Sequence, residues 1–304
     1  MDYVREAKRT FSRFGIAYAA FLLAGTLIQM EVAVILQGLA SLSGRTLEMG
    51  GMTMFFMSLP LYLIGAPVCW LIVKDLPTPC RPMPGKLTFR QMMVIFVICI
   101  SIMYIGNLIG LILMTIVNGI QGKPPMNPLN DVIDSLNPWM IFVLMVVMAP
   151  LFEEFLYRKL LIDRTAQYGD KVSILMSGFL FGLSHGNFYQ FFYAFGLGIV
   201  FAYIYLNTGK LRYTIGLHAI INFMGSLLAL QVAKSQILTY IYGVLMLALV
   251  VLGIVFLILF RRKIVLLGAW QEIPRGRRFR TLFLNFGMLL FFFVSLGMFL
   301  MTGQ

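Results

Sequence analysis

Apolar runs of bilayer length fill most of this chain and leave few architectures open to it. Nine such runs occur, at about 14–41, 52–73, 91–117, 138–162, 172–187, 189–206, 213–231, 236–260 and 280–301. A helix needs roughly 20 apolar residues to cross the hydrocarbon of a bilayer, so the expected fold is an all-α, polytopic transmembrane bundle. The fifth and sixth runs are short and closely joined, which gives eight or nine spans. The first run contains Glu31 and has no clear small-residue cleavage site, so it reads as a retained span rather than a signal peptide. Cys69, Cys80 and Cys99 show no metal or redox spacing.

The net charge of +12 would suit nucleic acid if it were spread over a soluble surface, but its position along the chain says otherwise. With a cytoplasmic N-terminus and nine spans, 21 of the 24 Lys and Arg residues fall on the inner side, and only Arg45, Lys123 and Lys234 fall outside. Excess positive charge in cytoplasmic loops sets topology, so the expected orientation is N-in and C-out. Topology and anionic lipid account for the basic charge, and no nucleic-acid partner is expected.

Ionisable groups at membrane depth are expensive and mark function by default. His185 and His218, the only two histidines, both lie in apolar runs, and the fourth run carries the acid pair Glu153 and Glu154. On a helix Glu154 and Arg158 stand at i and i+4 in the order that favours an ion pair. Glu153 points about 100° away, so one carboxylate is compensated and the other is left free. His218 and Asn222 are also i and i+4 and share a face. Each feature alone has an ordinary reading: a paired charge at a helix end, a core histidine, an interhelical hydrogen bond. Depth argues against coincidence. At about 1.5 Å per residue from the inner helix ends, His218 lies about 9 Å in, Glu153, Glu154 and Asn222 about 14 to 15 Å, and His185 about 21 Å. The expectation is that all five meet in one cavity below the cytoplasmic surface. Glu31, by contrast, is expected to hydrogen-bond a neighbouring helix, or else to line a substrate cavity.

Glu153-Glu154-x-x-x-Arg158, then Phe181-x-x-x-His185, then His218-x-x-x-Asn222 resemble the three ordered motifs of the CAAX protease and bacteriocin-processing family, also called the Abi family. These are intramembrane proteases that include type II CAAX prenyl endopeptidase-like members. The resemblance covers about 150–225 and divides the chain into N-terminal helices (1–137), a catalytic core (138–231) and C-terminal helices with a basic loop (232–304). It implies hydrolysis of a peptide bond in a membrane-associated or lipidated peptide or protein, in a multi-pass protein of a bacterial cell membrane. By that likeness Glu153 and His185 activate water, His218 and Asn222 stabilise the oxyanion, and Glu154 and Arg158 hold the site together. Burial makes a carboxylate a better base, and two donors on one helical face suit a developing oxyanion.

Glu153, Glu154, His185 and His218 also supply enough donors for a zinc ion with an open position. The chain lacks the His-x-x-x-His pair of helical zinc proteases, and any carboxylate used as a ligand is lost as a base. The reading favoured is therefore that no cofactor is required, with zinc as the alternative. Two other classes use the same polar cavity: a transporter, which would favour repeated halves and broken helices, and a non-catalytic membrane partner or immunity protein. Neither repeated halves nor matching breaks are visible in the sequence.

Overall fold

The computed structural model describes residues 2–42, 51–79, 85–122, 127, 133 and 136–302. Arg45, Cys80, Arg81 and Lys123, which entered the charge and cysteine arguments, lie outside the described residues. The described chain is helical with no strand. Its helices are α1 (Asp2–Leu42), α2 (51–73), α3 (Phe89–Gln121), α4 (Pro138–Tyr168), α5 (Asp170–Leu183), α6 (Phe188–Thr208), α7 (Leu211–Val232), α8 (Gln236–Phe260), α9 (Arg275–Leu282) and α10 (Phe286–Met301).

Local chemistry explains several of the ends. Thr88 and Gln91 close a reciprocal capping box at the start of α3, and Gly122 (φ +65°) ends that helix in the left-handed region. The side chains of Asn137, Asn187, Ser235 and Asn285 each accept a backbone N–H at the starts of α4, α6, α8 and α10. Among the described residues six helices are long and apolar enough to cross a bilayer, and the pair α9 and α10, bent by 55°, adds a seventh if it is counted as one span. Two of the nine apolar runs fall short of that length. In α2 only Ser58–Val73 qualifies as apolar helix, and α5 stops at Leu183 because Ser184, His185 and Gly186 (φ +63°) turn the chain into α6.

Three of the helices that frame the site are not regular, and α7 has a wide π-type turn at Met224–Leu228, just past Asn222. α4 contains wide π-type turns at Phe142–Met148 and Phe155–Leu160, on either side of Ala149–Glu154, and α2 has one at Leu61–Gly65 between Pro60 and Pro67. Proline removes a backbone donor and crowds the preceding turn, and a π turn accommodates the slack while rotating the side chains beyond it. The six residues that end in Glu153 and Glu154 are thereby re-aimed relative to the rest of α4.

Packing centres on α1, α2, α4, α5 and α10, which share one buried cluster including Phe11, Phe14, Tyr18, Leu156, Tyr157 and Phe291. Tyr18 stacks on Tyr157 with ring centroids 4.8 Å apart and donates to the Leu156 carbonyl at 3.0 Å. α1 and α10 cross at Gly15 and Gly287, where a Cβ on either residue would collide with the opposing backbone, and Gly287 N–H donates to Ser12 Oγ at 3.0 Å. Small residues at such crossings let backbones approach where lipid supplies no hydrophobic drive between helices. At the other end of α4, buried Arg164 donates to the carbonyls of Val73 (3.0 Å), Leu160 (3.1 Å) and Lys74 (3.3 Å), tying α2 to α4. The far half of α1 leaves this cluster, and Glu31 on it is exposed. The expected interhelical hydrogen bond of Glu31 does not form among the described residues, where Leu27, Val34 and Ile35 on the same face are exposed as well.

Candidate active site

Glu154 and Arg158 form an ion pair with no solvent exposure on either side chain. Arg158 Nε donates to Glu154 Oε2 at 3.0 Å, and its Nη2 donates to Oε1 at 3.2 Å. Nη1 donates to Ser177 Oγ at 2.7 Å, and Ser177 donates onward to the Tyr157 carbonyl at 2.7 Å. The guanidinium lies 4.8 Å from the Phe181 ring centre and 5.7 Å from that of Phe201. Each of its three nitrogens donates to an oxygen and its plane lies near two aromatic rings, the kind of compensation a buried pair requires if it is to be tolerated.

His218 is held from the same carboxylate. Its Nδ1 lies 3.1 Å from Glu154 Oε1, and because an ionised carboxylate only accepts, Nδ1–H is the donor. That fixes the ring so that Nε2 faces Glu153, whose Oε2 is 3.7 Å away. Glu153 is the less buried acid, with 17% of its side chain exposed. Its Oε1 accepts from the Tyr62 hydroxyl at 3.2 Å, and Tyr62 stacks on Phe152 at 5.5 Å. So Glu154 is enclosed and used up by partners, whereas Glu153 is oriented at one oxygen and open at the other.

His185 occupies the turn after α5 rather than the helix itself. Its Nδ1 is 2.9 Å from the Phe181 carbonyl, which can only accept, so the proton sits on Nδ1 and Nε2 carries the lone pair. No carboxylate lies within ion-pair distance of His185 among the described residues. Asn222 donates through Nδ2 to the Met145 carbonyl at 2.8 Å, inside the first wide turn of α4. One of its two N–H groups is therefore committed to structure, and one remains.

A cavity of about 430 Å³ is lined by Glu153, His185, His218 and Asn222 together. Glu154 does not line it. The expectation that all five share one cavity is corrected at that residue, which stands behind His218 because its oxygens accept from Arg158 and His218. The rest of the lining comes from α1 to α7 and α10 and from Ile133 and Leu136 ahead of α4, and includes Gln29, Tyr62, Asn107 and Tyr193. The four donors considered for zinc do not form a cage as they stand: among the described residues no three His, Cys, Asp or Glu side chains converge to hold a metal ion. Both Glu154 oxygens and His185 Nδ1 already have other partners.

Sequence reasoning missed Tyr62, Ser177 and the chain of polar groups around Ser184. Tyr157 donates to Ser184 Oγ, and Asn187, Gln190 and Tyr193 continue along α6 with bonds of 2.8 and 2.9 Å. Ser177 and Ser184 are single hydroxyls inside apolar runs and bond to side chains of another helix, so nothing in their own run exposes a role. Asn187, Gln190 and Tyr193 do stand three apart, a spacing the sequence carried, and Tyr62 was marked as a phenol two residues past a proline.

Residues 135–224, less than a third of the chain, match the family model described as Rce1-like: type II CAAX prenyl endopeptidase Rce1-like. Neither curated proteins nor solved structures matched the chain. The matched segment begins just before α4 and ends two residues beyond Asn222, so it contains every motif residue of the cavity. The site-bearing segment of this multi-pass helical membrane protein thus matches the Rce1-like, type II CAAX prenyl endopeptidase family.

Proposed function

We propose that the chain is an intramembrane endopeptidase that hydrolyses a peptide bond in a membrane-associated peptide or protein, of CAAX or leader type, using water activated by Glu153 and His185. The observation that carries this reading is the division of labour between adjacent acids. Glu154 is saturated by Arg158 and His218, while Glu153 keeps one oxygen toward a cavity that His185 also faces. A water between Glu153 Oε2 and His185 Nε2 gives up a proton to Glu153 as its oxygen attacks the scissile carbonyl carbon. The carbonyl oxygen becomes an oxyanion. In its doubly protonated form His218 donates to Glu154 through Nδ1 and to that oxyanion through Nε2, and the uncommitted N–H of Asn222 adds a second donor. Collapse of the tetrahedral species breaks the C–N bond, and the proton held by Glu153 passes to the departing amine.

Access from the cytoplasmic side is part of this proposal. The 21-to-3 charge partition supports it, as does the position of His218 two turns inside α7, next to Lys210 and Arg212. We place the protein in a bacterial cell membrane, with acidic lipid and a membrane-held substrate as its partners and no metal required.

The test is purified protein in liposomes with a membrane-anchored peptide. Glu153→Gln should lower turnover at least about 100-fold, the scale of a lost general base, at unchanged yield and melting temperature. Comparison of peptide termini between wild-type and Glu153→Gln cells then names the substrate. Near-wild-type hydrolysis by Glu153→Gln would sink the reading, and product formation without any hydrolytic terminus would favour a transport role.

A further inference from the structure

The connection from α8 to α10, residues 261–285, joins two span ends at one boundary of the bundle. Its backbone is docked. Leu267 N–H donates to the Asp170 carboxylate at 2.7 Å, Asp170 N–H returns a bond to the Leu267 carbonyl at 3.2 Å, and the N–H groups of Trp270 and Gln271 both donate to the Gln167 carbonyl at 3.0 Å. Ile273 then enters the central core with 1% exposure. Yet on this fixed strap Ile264, Val265, Leu267 and Trp270 face outward, as does Phe279 on α9, with Trp270 77% exposed. Interleaved with them, Arg261, Arg262, Lys263, Arg275, Arg277 and Arg280 are all exposed. Among the described residues none of these six has a carboxylate within ion-pair distance, since Glu272 is paired with Arg278 at 3.4 Å.

A backbone held this way cannot turn its apolar side chains inward, so they need an apolar surrounding outside the protein. The unpaired cations need anions at the same level. An acidic polypeptide in water would answer the charges but leave Trp270 and its aliphatic neighbours without a partner. The boundary of a bilayer containing acidic lipid answers both, with phosphate at headgroup level and acyl chains just beneath, where tryptophan is favoured. We propose that residues 261–280 form a binding face for acidic phospholipid headgroups, the guanidinium groups taking the phosphates while Trp270 and Phe279 lie at the acyl boundary.

The experiment uses the full chain with Trp70→Phe and Trp139→Phe, so that Trp270 is the sole tryptophan, reconstituted in phosphatidylcholine with a minority of phosphatidylglycerol. Bromine is placed on the acyl chains of one lipid or the other. Brominated phosphatidylglycerol should quench Trp270 more strongly than brominated phosphatidylcholine at equal mole fraction. The preference should fall at least about fivefold in Arg275→Gln with Arg277→Gln and Arg280→Gln. It should also shrink as salt is raised on the unmutated strap, which does not depend on the variant folding. Equal quenching by the two lipids would make the face a neutral apolar contact and overturn the proposal. So would failure of both lipids to quench while aqueous iodide does, or shielding of Trp270 from iodide by soluble polyglutamate in place of the bilayer.

Discussion

Replacing Arg158 by Met keeps most of the side-chain volume between Phe181 and Phe201 while removing the charge. In the native protein that charge answers two Glu154 oxygens at 3.0 and 3.2 Å and the Ser177 hydroxyl at 2.7 Å, with no exposure on either partner of the pair. Because neither group reaches solvent, there is no screening to discount. Breaking a buried pair from one side leaves an uncompensated carboxylate and costs about 3 to 5 kcal/mol. Glu154 would keep its contacts with His218 and Thr214 but lose the cation that Arg158 holds against it, and Ser177 would lose its donor, a smaller term of about 1 kcal/mol. Arg158→Met should therefore lower stability by about 3 to 5 kcal/mol, read as a fall in melting temperature in detergent and as earlier denaturant unfolding. Adding Glu154→Gln removes the orphaned charge, so the double variant should recover much of the loss. The cycle of the two single variants and the double then reports a coupling well above the few tenths of a kcal/mol typical of independent sites. Activity should not return with stability, since His218 loses the carboxylate that orients it. Unchanged melting in Arg158→Met, or additivity across the cycle, would refute the account of a sealed pair.

Three further outcomes follow from named contacts. Tyr62→Phe deletes one hydroxyl and with it the 3.2 Å bond to Glu153. A hydrogen bond to a charged group is worth about 1.5 to 3 kcal/mol, so kcat should fall roughly tenfold or more at unchanged KM, and equal kcat would show that Glu153 needs no tether. Asn222→Ala should lower kcat about 100- to 1000-fold if its free N–H meets the oxyanion; a modest loss accompanied by lower melting temperature would assign Asn222 to the Met145 contact alone. A cysteine replacing Lys210 should react with an impermeant thiol reagent only after the membrane is opened, whereas one replacing Lys123 should react in intact cells. The reverse pattern would invert the bundle and move the site's opening to the other face.

Much of the molecule is legible in its sequence because two constraints act locally. The bilayer demands long apolar runs, so the helical class could be read by counting, and helix geometry forces residues four apart onto one face, so the Glu154–Arg158 pair was visible before any contact was known. What counting could not reach is where the helices depart from regularity. The turn at Ser184–Gly186 takes His185 off the helix that its apolar run suggested, and the wide turns on both sides of Ala149–Glu154 set which acid faces the cavity. The allotment of partners was also a tertiary matter. Tyr62 reaches Glu153 across 91 residues and Met145 takes an Asn222 N–H across 77, and such pairings leave no periodic trace because each side contributes a single group. The i, i+4 spacing already named Glu154 as the compensated acid, but only packing decided that it would be sealed behind His218 and kept out of the cavity, since desolvation and hydrogen-bond supply belong to the assembled neighbourhood and not to the order of residues along the chain.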